Sequence, residues 1–384
     1  MQIAMRREQI CLHEHPRNIP RPTMTPPITL QQLGWDDGFA DDFEQFEYLG
    51  MQPARVIIAH NNYFTLLDGE REWLATPAGR LRLNAKRISS LPVVGDWVAM
   101  KPRKGEEDRA TVHAVLPRRT KFSRRSPERP ADEQVISANI DTALIVSDLV
   151  TDFNVRRLER YLALAHESGA KPVVLLTKLD LSEDVEEMLE ELAPVARDAP
   201  VHVISNVTGE GVDLVRQYLG PGQTAVLLGS SGVGKSTLIN SLMGRERMNT
   251  AETRDDGRGR HTTTHRELVI LENGGMIIDN PGMRELGLWD SNAGIRDSFN
   301  DIAALAAKCR FSDCSHQSEP GCAVKQAVEE GTLDEERFDN FHKLISERAS
   351  LDTAREMQAR LEKTPGRPQP NRSSRPTMRK KKKS

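Results

Sequence analysis

The segment 229–237 of the 384-residue chain, GSSGVGKST, carries the residue types with the most definite chemistry. A glycine-rich turn between a strand and a helix presents backbone N–H groups and a helix N-terminus to phosphate oxygens. The Lys235 ammonium would neutralise phosphate charge, and the Ser236 hydroxyl can bind Mg²⁺. The segment therefore predicts a phosphate loop for a nucleoside triphosphate, formed by Gly229, Ser230, Ser231, Gly232, Val233, Gly234, Lys235, Ser236 and Thr237.

A second segment, TKLD at 177–180, has the residue types that read a guanine base, and it follows the apolar run 172–176. Asp180 can accept hydrogen bonds from the N1–H and N2–H₂ groups of guanine, while the Lys178 stem covers the ring face. The alternative interpretation is a strand end capped by polar residues. Beside a phosphate loop we favour a guanine reader, formed by Thr177, Lys178, Leu179 and Asp180.

Two further segments complete the predicted Mg²⁺ site. An apolar run leads into an Asp-x-x-Gly turn, in which Asp279 can hold the Mg²⁺ shell and the Gly282 amide can face the γ-phosphate. The basic, glycine-containing stretch 257–264 supplies several hydroxyl groups. We expect a switch threonine there that closes on Mg²⁺, with Thr263 as the first choice and Thr262 as the second.

The residue after Asp-x-x-Gly bears on the hydrolytic step. Many GTPases keep a water-orienting Gln there, whereas this chain has Met283, which cannot orient or activate a nucleophile. Intrinsic hydrolysis should therefore be slow, and His261 or a group supplied by a partner could provide the missing function. The alternative for His261 is a solvated loop imidazole. The candidate catalytic residues are Lys235, Ser236, Thr263 and His261.

The order of these elements is unusual, because the base reader precedes the phosphate loop. The backbone at Ser205 and Asn206, also upstream, could contact the guanine carbonyl group. A circular permutation keeps such a set of elements intact when the original termini lie close together. It also connects the Asp-x-x-Gly segment directly to whatever follows, so we expect switch motion to reach a C-terminal module.

That C-terminal region contains a metal-ligand pattern. Three cysteines and a histidine lie within 14 residues, separated by four, one and five positions. Three thiolates and an imidazole suit tetrahedral Zn²⁺, and four protein ligands indicate a structural site. Free or core thiols and an intramolecular disulfide are the alternatives. The predicted ligands are Cys309, Cys314, His316 and Cys322.

The flanking patterns predict how these segments are positioned. Short strands at 54–59, 63–67, 72–76, 80–83, 96–101 and 110–116 suit a small barrel of the OB type. Residues 135–288 alternate strands with helices, as in a parallel sheet, with strands at 141–146 and 171–176, a helix at 154–168 and a later helix capped by Ser182. Two more helices are predicted at 322–330 and 334–361.

Composition and charge limit the classes of binding partner and the location of the protein. The net charge is only −3, yet residues 101–129 and 372–383 are strongly basic. Nucleic acid is the favoured anionic partner, and a solvated charge run is the alternative. No run of about 18 apolar residues and no signal-peptide pattern is present, so we expect a cytoplasmic protein without a membrane partner. The tail, 363–384, should be disordered, and the segment 1–50 mostly mobile.

Together these motifs resemble the circularly permuted small ribosomal subunit biogenesis GTPases, the RsgA or YjeQ family, from about Gln32 to Leu361. Two departures are that Thr177 stands where Asn is commoner and Asn206 where Ala is usual. The resemblance is carried by LGW at 33–35, PVVGDWV at 92–98, TKLD, GSSGVGKST, GRHTTTHREL at 259–268, IDNPGMREL at 278–286 and the Cys-Cys-His-Cys cluster.

The resemblance implies a multi-domain protein that hydrolyses GTP late in 30S subunit maturation, near the decoding region, with stimulation by the ribosome. It implies GTP, Mg²⁺ and one structural Zn²⁺, and the 30S subunit and 16S rRNA as partners. A monomer is the simplest expectation for the chain. The implied domains are an OB-fold RNA-binding barrel at 51–120, a permuted G domain at 123–288 and a helical zinc-binding domain at 289–362. The extension at 1–50 and the basic tail lie outside the family core.

Two other classes remain open from the residues alone. A metabolic P-loop kinase or ATPase would share the phosphate loop but would need no guanine reader. A nucleotide-regulated zinc protein that binds RNA without a ribosomal role would keep its binding function after mutation of the phosphate loop.

Overall fold

A computed structural model describes residues 28–60, 63–84, 88–126, 132–244, 266–279 and 292–363. Several sequence predictions lie outside these ranges, namely those for Thr262, Thr263, His261, Gly282 and Met283, for residues 1–27 and for the tail from 364 onward.

Five strands form the predicted barrel. They run in the order β1-β2-β3-β5-β4, and β4 also pairs with β1, which closes the barrel. One face of each strand is buried in a small core that includes Val56, Leu66, Trp73 and Val98. The strands are β1 (Gln52–His60), β2 (Tyr63–Leu67), β3 (Glu72–Pro77), β4 (Trp97–Pro102) and β5 (Arg109–Val115).

One predicted barrel strand is wrong. Residues 80–83 belong to the short helix α2 (Gly79–Asn84), which lies between β3 and β4. The alternating Leu81 and Leu83 suggested a strand, but Leu81 packs against the barrel core while Leu83 is 85% exposed. With only one apolar side chain to bury, a single helical turn satisfies this segment.

The N-terminal segment is ordered further than the sequence predicted. A 3₁₀ turn (Gln31–Leu33) leads to helix α1 (Asp37–Glu47), whose N-cap Asp36 accepts a hydrogen bond from the Phe39 amide at 3.1 Å. Phe39 and Phe43 are buried on one face of α1, against Trp35 and Trp97. The prediction of a mostly mobile segment is therefore wrong for residues 28–50, because an aromatic stripe at helical spacing packs on the barrel.

The central domain, residues 142–279, is a mostly parallel sheet in the order β10-β9-β8-β11-β13-β12, which confirms the predicted alternation of strands and helices. Among the described strands of this part of the sheet, only β12 runs antiparallel to its neighbour β13. The strands are β8 (Thr142–Asp148), β9 (Lys171–Thr177), β10 (Val201–Val203), β11 (Thr224–Leu228), β12 (Arg266–Ile270) and β13 (Met276–Asp279); the helices are α3 (Val155–Ser168), α4 (Val185–Ala196), α5 (Val212–Arg216) and α6 (Lys235–Met243).

One predicted helix cap in this domain is wrong. Ser182 ends the 3₁₀ turn Leu179–Leu181, and α4 begins only after Asp184. The acidic first turn of α4, Glu186 and Glu187, is present as predicted. The base-reading segment therefore has a short turn of its own between β9 and α4.

The barrel and the central domain share one sheet. Strand β12 pairs with β1 in antiparallel register, Ile58 opposite Glu267, so that 11 strands are continuous. The hairpin of β6 (Lys121–Arg125) and β7 (Glu133–Ala138) lies in the chain between them and was not predicted.

The C-terminal module, residues 292–363, is helical. Helix α7 (Asn292–Ser298) packs closely on α3, since a Cβ added at Gly294 would lie 2.6 Å from the Ala163 carbonyl oxygen. The two predicted later helices are confirmed as α9 (Ala323–Glu329) and α10 (Glu335–Lys363), and α8 (Asn300–Ala306) precedes the metal-ligand segment. Among the described residues, no helix is long and apolar enough to cross a membrane.

Candidate nucleotide site and metal centre

The phosphate loop joins the end of β11 to the start of α6. All five residues of β11 are buried, and α6 is anchored by Leu238, Ile239, Leu242 and Met243. These fixed ends hold the loop at the carboxyl edge of the parallel sheet, where ligands of such sheets bind.

Two glycines let the loop turn tightly. Gly229 has φ +147°, and a Cβ there would lie 2.2 Å from the Val146 carbonyl oxygen. Gly234 has φ +96° and forms the N-cap of α6. The Lys235 ammonium donates to the carbonyl oxygens of Gly229, at 3.0 Å, and Ser230. The loop therefore keeps its lysine folded against its own backbone, with the amides of the α6 N-terminus available to phosphate.

The base-reading segment lies beside this loop, although it comes earlier in the chain. Thr177 ends β9, and its hydroxyl donates to the Val233 carbonyl oxygen at 2.7 Å. Lys178 follows in a left-handed conformation, with φ +64°. The inverted order in the chain therefore still brings the base reader and the phosphate loop together.

The loop after β10 fixes the carboxylate that would read guanine. The Ser205 hydroxyl donates to Asp180 Oδ1 at 2.5 Å and accepts hydrogen bonds from the amides of Val207 and Thr208. Asp180 is exposed, and an ionised carboxylate has about four acceptor sites, so it can still accept two hydrogen bonds from guanine. Asn206, where the family commonly has Ala, donates through Nδ2 to the Gly234 carbonyl oxygen at 3.1 Å. The Asn206 side chain therefore links the loop after β10 to the phosphate loop.

Asp279 ends β13, which pairs in parallel with β11 and so places Asp279 at the same sheet edge as the phosphate loop. The Asp279 side chain is buried, with 6% of its surface exposed. Ser236 and Asp279 are the described residues whose oxygens would hold Mg²⁺. The ion would neutralise part of the negative charge on the phosphates. The predicted third contributor, Thr263, lies outside the described residues, as does His261.

Sequence reasoning missed a group of acidic residues in the loop between β8 and α3, here called the acidic loop (Asp148–Asp152). Asp148 is 1% exposed and binds the Lys178 ammonium at 2.9 Å. Although burial opposes it, the Thr151 amide and the Lys178 ammonium hold the pKa of Asp148 below its ordinary value. The carboxylate thus fixes the lysine that would cover the guanine ring.

The other end of the acidic loop reaches the phosphate loop. The Asp152 carboxylate binds the guanidinium of Arg157, and Arg157 Nη1 lies 3.2 Å from the Ser230 hydroxyl oxygen. Asp148, Asp152 and Arg157 stand in no recognisable motif, so only the contacts themselves identify them. A carboxylate at each end of one loop therefore orients one cation toward the base and another toward the phosphates.

The predicted zinc ligands come together in the C-terminal module, where their ligand atoms all lie within 4.8 Å of one another. His316 Nδ1 is 3.6 Å from Cys309 Sγ and 3.4 Å from Cys322 Sγ, and those two sulfurs are 3.9 Å apart. Tetrahedral Zn²⁺ with ordinary bond lengths requires about 3.8 Å between two sulfurs and about 3.6 Å between sulfur and nitrogen. The four residues therefore fit one zinc ion.

The same distances exclude the disulfide alternative for this cluster. A disulfide needs its sulfurs about 2.05 Å apart, so the 3.9 Å separation of Cys309 and Cys322 excludes one between them. None of Cys309, Cys314 and Cys322 forms a disulfide. With four protein ligands, the ion would hold together α8, α9 and the intervening segment and would leave no position for a substrate.

Comparisons with known proteins agree with this geometry. The family model described as RsgA GTPase matches residues 115–289. The small ribosomal subunit biogenesis GTPase RsgA of Opitutus terrae is 46% identical over 331 residues, which are 84% of this chain and 90% of that protein. The crystal structure of YjeQ from Thermotoga maritima matches at 27% identity with a TM-score of 0.58, over 77% of this chain and 98% of that one. YloQ, described as a circularly permuted GTPase, matches at 25% identity with a TM-score of 0.53, over 81% and 96% of the two chains.

Proposed function

Because the chain belongs to the RsgA family of small ribosomal subunit biogenesis GTPases, we propose that it hydrolyses GTP to control a late step in the maturation of the 30S subunit. The observation that carries the nucleotide assignment is the 2.7 Å hydrogen bond from Thr177 to Val233, which joins the base reader to the phosphate loop. A metabolic kinase or ATPase would need no guanine reader beside its phosphate loop. Membership of a GTPase family excludes that alternative.

Different residues serve base selection, phosphate binding and hydrolysis. Asp180 selects guanine, with Lys178 held over the ring by Asp148. The amides of the phosphate loop and Lys235 bind the phosphates and stabilise the charge that develops on them as the γ-phosphoryl group leaves. Since Met283 cannot orient water, we propose slow intrinsic hydrolysis that the ribosome stimulates, with His261 as the candidate group within this chain.

We also propose that the barrel side of the molecule binds 16S rRNA near the decoding region. The basic stretch 101–129 includes β6 of the hairpin, and the charge of Arg124 on β6 acts on Arg266 on β12. Burial, and then the charge of Arg124, lower the pKa of Arg266. Two guanidinium groups in mutual repulsion would both be stabilised by a phosphate, which supports a nucleic-acid partner. A protein that works on this subunit is expected in the cytoplasm, as a monomer.

Co-sedimentation with purified 30S subunits tests the function. The unchanged protein should pellet with 30S in the presence of a non-hydrolysable GTP analogue and should be released with GDP. Lys235→Ala should reduce this nucleotide dependence, because it removes the cation that binds the phosphates. Pelleting that is independent of nucleotide, or absent in both states, would argue against a GTP-controlled role on this subunit.

The stimulated rate tests the catalytic assignment separately. His261→Ala should keep GTP binding but lose most of the stimulation by 30S, by about 100-fold if the imidazole acts as a general base. Full stimulation in this variant would transfer the catalytic role to a ribosomal group.

A further inference from the structure

Helix α3 lies between the phosphate loop and the C-terminal module, and it carries charged side chains toward both. Residues 156, 159 and 160 share one side of the helix, because they are three or four positions apart. Arg156, Glu159 and Arg160 all bond to α10 or to the residues that begin it.

Glu159 is the centre of these contacts. It is 1% exposed, and its Oε1 accepts hydrogen bonds from Arg337 at 2.6 Å and Arg156 at 2.8 Å. Its Oε2 accepts from the Asn340 side chain at 2.5 Å. One buried carboxylate thus joins α3 to two residues of α10.

Arg337, 178 residues from Glu159 in the sequence and 4% exposed, extends the contacts to α8. It binds both carboxylate oxygens of Asp301 at 2.9 Å and the Ser298 carbonyl oxygen at 2.9 Å. Asp301 in turn binds Arg197 at the end of α4 at 2.8 Å. Since every displacement of α10 would separate several of these buried charges, the module has a defined docked position on α3 and not a range of positions.

The opposite side of α3 faces the nucleotide site. Arg157 precedes Glu159 by two residues, which places the two about 200° apart around the helix. Its guanidinium contacts the Ser230 hydroxyl of the phosphate loop and the Asp152 carboxylate of the acidic loop. The same helical turn therefore touches the phosphate loop with one side chain and the C-terminal module with another.

We propose that α3 couples the phosphate loop to the C-terminal module, with Arg157 as the positioning residue at the loop and Glu159 with Arg337 as the docking pair. A change in the loop between the GTP and GDP states moves Arg157, and α3 carries that movement to α10. By linkage, docking of the module changes the relative affinity for the two nucleotides by the same factor. This route needs no chain connection, and so it is separate from the one through the segment after Asp279. It rests on GTP binding at the phosphate loop and not on the proposed ribosomal role.

Hydrogen exchange of the full-length, zinc-loaded chain tests the proposal. Amides of residues 335–347 should exchange about fivefold differently with a GTP analogue and with GDP. Glu159→Gln and Arg157→Gln should each remove that difference. Arg125→Gln is the matched control, because Arg125 contacts α10 at the Glu347 carbonyl oxygen from β6 and not from α3, and it should keep the difference.

A second variant separates coupling from simple undocking. Glu159→Met with Arg337→Met removes both charges and keeps apolar volume, so slow exchange of α10 should persist while its dependence on nucleotide is lost. The proposal fails if the unchanged protein shows no difference, or if Arg157→Gln or the double Met variant retains it. Binding of a fluorescent GTP analogue is measured in parallel; a protein that does not bind it would refute the nucleotide site and not only the coupling.

Discussion

At the barrel, the central domain is joined through its backbone, whereas at the C-terminal module it is joined through side chains. Strand β12 pairs with β1, and the buried Arg55 donates to the carbonyl oxygens of Leu33 and Asn139 and to the Thr224 hydroxyl. The C-terminal module instead docks by side chains, through the charged contacts of Glu159 and Arg337 and the packing of α7 on α3. A shared sheet resists rearrangement, while a side-chain network can break and form again. The difference indicates that the barrel is fixed relative to the nucleotide site and that the C-terminal module is the part able to respond.

Loss of zinc should have the largest effect, and it should be confined to the C-terminal module. Cys322→Ser removes a ligand, and structural zinc sites contribute about 10 kcal/mol of binding free energy to folding. We expect the variant to lose zinc and the ordered fold around α9, while GTP binding and the barrel junction persist. Zinc content and hydrogen exchange measure this, with the exposed, non-ligand change Ser318→Ala as the control. Loss of order in the barrel as well would contradict the separation of the two junctions.

Arg55→Met should have the next largest effect, because it should weaken the junction between the barrel and the central domain. Arg55 is 2% exposed, and burial lowers its pKa to about 10. The change leaves buried carbonyl groups without their donor, so we expect the free energy of unfolding to fall by about 3–5 kcal/mol in chemical denaturation. Arg71 has a side chain that is 55% exposed and stacks on Trp73, so Arg71→Gln should change the free energy of unfolding by less than about 1 kcal/mol. Equal losses would show that Arg55 does not hold the junction.

Asp148→Asn should have the smallest effect, limited to the nucleotide site between the junctions. It weakens the hold on Lys178, and we expect GTP affinity to fall by about three- to tenfold while zinc content is unchanged. Because the pKa of Asp148 in the folded protein lies below its ordinary value of 3.8, its stabilising contribution is complete above that pH and is lost as the pH falls through the folded value. Titration with a fluorescent GTP analogue checks the affinity, and unchanged binding would leave Asp148 without a role at the base.

The local patterns of the sequence predicted much of the fold. Strands β2 and β9 and helix α3 follow from apolar periodicity and turn residues alone. Helix α1 was missed although Asp36, Phe39 and Phe43 have the spacing of a capped amphipathic helix, because the charged and proline-rich surroundings obscured that signal.

The contacts that organise the site could not be predicted in this way. The acidic loop contains no motif, and its role depends on Lys178, 30 residues away from Asp148. Glu159 and Arg337 appear in the sequence as ordinary charges on helix surfaces, and only their burial together shows what they do. Spacing in a sequence reports neighbours along one element, whereas these contacts join elements that packing brings together.

The nucleotide preference of Asp180→Asn tests most directly whether the inverted segments form one guanine site. The carboxylate accepts from the N1–H and N2–H₂ groups of guanine, and an amide in its place matches xanthine instead. We therefore predict that GTP hydrolysis falls by about 100-fold and that xanthosine triphosphate becomes the preferred substrate. A variant that still prefers GTP over xanthosine triphosphate would contradict the assignment of Thr177–Asp180 as the base reader.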